Sequence, residues 1–168
     1  MVKHVAWAAV FALAAAMLQS TLLARLAVYR AVPDLVLDII VYMAYMHGTM
    51  TGQLTGFFSG LILDFLSAAP LGLNALIRTM IGATAGFMKG AFFLDSLFLP
   101  MALCAGATLY KALLLAGLHL LFTQEVPTYS LKEPTLWVEL VGNSIFAPLL
   151  FAFLKMFKNL LLDRGKSS

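Results

Sequence analysis

Apolar residues fill this chain in long stretches rather than in strict alternation. Glycine, proline and charge interrupt them, leaving six apolar segments at 5–23, 33–47, 50–66, 71–88, 97–122 and 136–157. A helix that crosses the hydrocarbon of a bilayer needs about 20 residues, with a range of roughly 17 to 25, and only 33–47 falls clearly short. A membrane β-barrel would instead show segments of about ten residues in which apolar and polar positions alternate. The pattern therefore predicts an all-α integral membrane protein with six transmembrane helices in a single polytopic domain, 1–168. The short segment opens with Asp34 and Asp38, and the turn signal His47-Gly48-Thr49 makes it the first arm of a hairpin with 50–66.

Composition removes the soluble alternative. Hydrophobic residues make up 62% and charged residues 11% of the chain, against roughly 25% charged in a water-soluble domain. Since lipid offers no partner to backbone N–H and C=O groups, the chain must pair them internally, as helices do. The net charge of +3 reads as topology, with no nucleic acid implied. Lys and Arg in short flanks prefer the cytoplasmic side. With both ends inside, Lys3, Lys89, Lys155, Lys158, Arg164 and Lys166 lie inside against Arg25, Arg30 and Lys132 outside. The expected location is the bacterial inner membrane, with both termini cytoplasmic. Lys3 ahead of an apolar run containing Ala14-Ala15-Ala16 also has the form of a secretory leader, but its removal would put two basic ends on opposite sides.

Membrane helices gain little from excluding lipid, so close approach depends on small residues. The third segment carries Gly48, Gly52, Gly56 and Gly60, the fourth Gly82, Gly86 and Gly90, and the first Ala8, Ala12 and Ala16, each row at four-residue spacing. All are expected at helix contacts. Two charges continue the rows, Asp64 four after Gly60 and Arg78 four before Gly82. In an antiparallel hairpin they face one groove, which predicts an intramembrane Asp64–Arg78 ion pair. Lys111, mid-segment, is costly without a partner; Glu139 and Asn143, four apart on the last segment, or Asp38 are candidates. Asp34 and Asp38 share a helical face and, with Asn74, add polar groups near the outer rim.

Reactive chemistry is missing from the pattern. His4, His47 and His119 are scattered, without cysteine or carboxylate at metal-ligand spacing. Ser59 lacks the glycine two positions earlier that a nucleophile elbow shows, and no phosphate-binding loop follows the glycines. Cys104, the only cysteine, reads as a small buried hydrophobe. No enzyme activity, cofactor or metal is expected.

Three ordered pieces carry a family resemblance: Pro33-Asp34-Leu35 ahead of an apolar run, the segment from Gly56-Phe57-Phe58-Ser59-Gly60 to Asp64, and Pro70-Leu71-Gly72-Leu73-Asn74-Ala75-Leu76. With Gln19-Ser20-Thr21 and the stretch from Gly82 to Gly86, they make residues 19–90 resemble the bacterial rod shape-determining protein MreD. Elsewhere only length and span pattern correspond. The resemblance implies a non-catalytic scaffold subunit of the cell-elongation machinery that builds lateral peptidoglycan. Its implied partners are an MreC-like periplasmic scaffold, the filament protein MreB, the glycosyltransferase RodA, a class B penicillin-binding protein and membrane lipid. The family is also similar in span count and size to the substrate-binding subunits of energy-coupling-factor vitamin transporters. A solute-binding transporter subunit is therefore the alternative function, with the Ala8, Ala12, Ala16 row as a face for docking another membrane subunit. For a scaffold, the expected mechanism is a groove that receives a partner's single transmembrane helix, with the outer segment 123–134, including Glu125, Lys132 and Glu133, against a periplasmic partner.

Overall fold

A computed structural model describes residues 2–21, 32–67, 69–91, 97–122, 126–127, 129 and 134–157. Its six helices are α1 (Val2–Thr21), α2 (Leu35–His47), α3 (Thr49–Leu66), α4 (Leu73–Phe87), α5 (Phe98–Leu121) and α6 (Pro134–Met156). By length and composition, α5 and α6 are long and apolar enough to cross a membrane. Arg25, Arg30, Lys132, Lys158, Arg164 and Lys166, with Glu125 and Glu133, lie outside the described residues, as does the side chain of Lys3.

The exterior, unlike that of a water-soluble bundle, is rich in large apolar residues. Along α6 the buried positions are Leu136, Glu139, Asn143, Ala147, Phe151 and Leu154, while Val141, Ile145, Leu149 and Phe153 form an exposed apolar row. Glu139 and Asn143 thus face inward while the outward row is apolar, an arrangement that suits lipid and not water.

The centre of the bundle is α2, every residue of which from Leu35 to Tyr45 is buried. A helix that is apolar all round belongs inside, and α2 touches α1, α3, α4, α5 and α6. At 1.5 Å per residue it is about 20 Å long, well under the ~30 Å of a hydrocarbon core. Because protein surrounds it, its length need not match the bilayer. One residue, Gly48, joins it to α3 with φ 95°, a left-handed conformation that favours glycine.

Among the described helices, α3 and α4 make the tightest contact. A Cβ added to Gly52 would lie 2.3 Å from the Gly82 carbonyl oxygen, and one on Gly82 would lie 2.1 Å from that of Gly52. Gly56 meets the Arg78 backbone, Gly60 meets Asn74 and Ala75, and Gly86 meets Thr49. Each step of four up α3 matches a step of about four down α4, so the backbones touch at four successive levels. Two glycines of these rows do other work. Gly48 is a turn residue whose added Cβ would reach only the Lys89 side chain, and Gly90, at φ 74° after α4, has nothing within 4 Å. Ala8, Ala12 and Ala16 are buried in the core, on a helix packed on α2 and α3. That row is occupied internally and is no face for docking another subunit.

Candidate functional site

A cluster of buried charge ties four helices together, and Asp34 is its hub. As N-cap of α2, Asp34 accepts the Leu37 N–H at 3.1 Å, the capping contact that satisfies one orphan donor of a helix start. Its carboxylate also accepts from Arg78 Nη2 of α4, at 3.0 Å to Oδ1 and 2.8 Å to Oδ2. Lys111 Nζ of α5 donates to Asp34 Oδ2 at 2.9 Å and to Glu139 Oε1 of α6 at 2.7 Å. The Tyr129 hydroxyl closes the chain by donating to Glu139 Oε2, and its ring lies 5.9 Å from Lys111 Nζ. Tyr129 sits in the α5–α6 connection, where burial pushes its phenol up to about 12; it therefore remains a donor at neutral pH. Asn143 continues the network, taking the Asp34 N–H at 2.6 Å and donating to Thr108 at 2.8 Å. Asp34, Arg78, Glu139 and Asn143 are all at most 5% exposed, and Lys111 is more open, its side chain 16% exposed.

The expected Asp64–Arg78 pair does not form; Arg78 turns to Asp34. Asp64 instead accepts three backbone N–H groups at the start of α4, from Gly72 at 3.0 Å, Asn74 at 2.9 Å and Ala75 at 3.1 Å, and the Asn74 amide at 3.0 Å. Three orphan donors at a helix N-terminus match a carboxylate better than one distant guanidinium does, and Asp34 is the acceptor left for Arg78. Lys111 takes Glu139, whereas Asn143 binds Asp34 and Thr108. Asp38 is fully buried one turn along α2 from Asp34, against Cys104, and pairs with neither cation. Asn74 belongs with Asp64. Thr108 and Tyr129 were not anticipated, although Thr108 lies three before Lys111 on the face that meets Glu139 and Asn143. That spacing is visible in the sequence.

Chemically, the cluster positions helices. Each cation faces a carboxylate, and among the described residues no group of three or more His, Cys, Asp or Glu side chains could hold a metal.

A second feature lies at the wall between α4 and α5. These helices diverge around an apolar cleft of about 880 Å³, with Ile81, Ala85 and Met88 on one side and Leu99, Ala102, Gly106 and Tyr110 on the other. A Cβ on Gly106 would meet nothing within 4 Å, so the cleft floor is open.

The family model described as rod shape-determining protein MreD matches residues 1–157. No curated protein and no solved structure matches the chain.

Proposed function

The chain belongs to the MreD family of rod shape-determining proteins, and from that premise we propose that it is a non-catalytic scaffold whose α4–α5 cleft receives the transmembrane helix of an MreC-like partner. Its role in cell shape and its membrane location follow from the family; the scaffold mechanism is the proposal. In this reading residues 1–168 form one domain of six spans in the bacterial inner membrane, both termini face the cytoplasm, and MreB, RodA and a class B penicillin-binding protein act in the same machinery.

The cleft is the observation that supports this reading. Small residues let helices approach closely in lipid, and Ala85, Ala102 and Gly106 offer them on a wall where α4 and α5 leave space. The glycine rows of α3 and α4, by contrast, are already used against each other.

The test is to fill the cleft without disturbing the fold. Gly106→Leu, at a position with open space, should leave the melting midpoint of the purified protein near wild type. It should also abolish co-purification of an MreC-like partner from membranes and round up rod-shaped cells that depend on it. Full partner capture by Gly106→Leu would place the partner elsewhere. The transporter alternative, attached to the likeness in size and span count to energy-coupling-factor subunits, predicts uptake of a vitamin-sized solute by sealed vesicles.

A further inference from the structure

Asp38 is the carboxyl that the charge cluster leaves out. It is fully buried one turn along α2 from Asp34, and no N–H or O–H donor reaches either of its oxygens among the described residues. Its neighbour on α5 is the Cys104 thiol, a weak donor. Charge acts on it from Asp34 on its own helix, from Arg78 on α4 and from Glu139 on α6, and the buried Tyr42 follows one turn further along α2. On α3 the ionisable side chain is Asp64, which is bound to the start of α4. Those of α1, Lys3 and His4, stand in its first turn. With Asp38 included, the interior holds three carboxyls, Asp34, Asp38 and Glu139, against two cations, Arg78 and Lys111. Both cations are engaged by Asp34 and Glu139, so an ionised Asp38 leaves one negative charge in excess. Such a charge inside a membrane protein is strongly unfavourable without a partner, and a carboxyl in that position takes up a proton instead.

We infer that Asp38 is a proton-binding site: in the folded protein its carboxyl carries a proton, which brings the buried cluster to neutrality. Nothing larger can supply the missing positive charge. The Asp38 oxygens, like Nε and Nη1 of Arg78, have no surface that a water molecule could touch, and a place closed to water is closed to a metal ion or an ammonium group. Of the three carboxyls, Asp38 takes the proton because the other two are filled with donors. Asp34 accepts from Leu37, Arg78 and Lys111, and Glu139 from Lys111 and Tyr129, so a proton on either would displace a bond. Loss of the proton from Asp38 would set two carboxylates, one turn apart on α2, in competition for the Arg78 guanidinium. The hold of α4 on α2 therefore depends on that proton.

Two measurements on the full chain in uncharged detergent test this. At neutral pH the infrared spectrum should contain the carbonyl band of a protonated carboxyl, and Asp38→Asn, which keeps the size and the neutrality of the side chain, should remove it. Equilibrium unfolding supplies the second readout. An aspartate in the unfolded chain is ionised above about pH 4, so unfolding releases the proton that Asp38 holds. The stabilisation is complete below that pH and is lost as pH rises. Between about pH 6 and pH 8 the unfolding constant of the wild type should therefore climb by about tenfold per pH unit relative to that of Asp38→Asn. If Asp38→Asn does not fold, Asp38→Ser, smaller and equally neutral, is read in the same way. A wild-type spectrum without the band at neutral pH, or a folded variant that keeps the band or follows the wild-type pH slope, overturns the inference.

Discussion

At the scale of single residues, the molecule turns on two aspartates with different tasks. Asp34 holds two cations, so Asp34→Asn leaves Arg78 and Lys111 short of compensation in a buried site. Removing one partner of a buried pair costs about 3 to 5 kcal/mol. Asn143→Ala removes neutral contacts, and such interactions between membrane helices average about 0.6 kcal/mol. Chemical or thermal denaturation should rank Asp34→Asn far below Asn143→Ala; equal midpoints would remove Asp34 from the centre of the network. Asp64 instead seals the start of α4, and Asp64→Ala should cost about 2 kcal/mol. Hydrogen exchange should rise at Gly72, Asn74 and Ala75, with little change around Asp34. The sequence places Asp64 and Arg78 on facing rows and Asp34 near the outer rim, and pairs Arg78 with the wrong aspartate. The four-residue spacing that puts Asp64 and Arg78 on facing rows is real, yet rows cannot show that a helix start lies nearer to Asp64, or that α2 brings Asp34 to Arg78.

At the scale of elements, the α3–α4 hairpin is where sequence and structure agree most closely. Gly52, Gly56, Gly60, Gly82 and Gly86 all lie in the contact, because a glycine every four residues in an apolar helix has few other uses. Gly48 and Gly90 escaped the rule: each sits at a helix end, where the same residue type supplies a positive φ instead of a missing side chain. The contrast yields a prediction. Gly82→Ala forces a methyl to within 2.1 Å of a backbone oxygen, and since backbone cannot step aside as a side chain can, the hairpin must part at a cost of about 3 kcal/mol. Gly117→Ala, in α5 with nothing within 4 Å, should be neutral or stabilising by up to about 1 kcal/mol. Midpoints in detergent check the pair, and a Gly82→Ala protein as stable as wild type would mean that the hairpin is looser than the contact distances require.

At the scale of the whole molecule, an apolar core around α2 with a buried charge cluster at one end is enclosed by an exterior of large apolar residues. Hydropathy alone made the exterior legible. The identity of the central helix was not, since 33–47 looks like the weakest span when length is the criterion and becomes the core once its neighbours are in place. Its two aspartates, a drawback for an isolated apolar segment, are both buried within the bundle. This has a consequence for biosynthesis. As the chain leaves the ribosome, the insertion machinery meets a 13-residue helix that is too short and too acidic to settle alone, and the lysine and asparagine that complete its setting are made last or nearly so. Nascent chains halted before α6 should therefore leave α2 accessible to water-soluble thiol reagents at an engineered cysteine and be cleared by proteases, whereas the finished chain shuts that helix away.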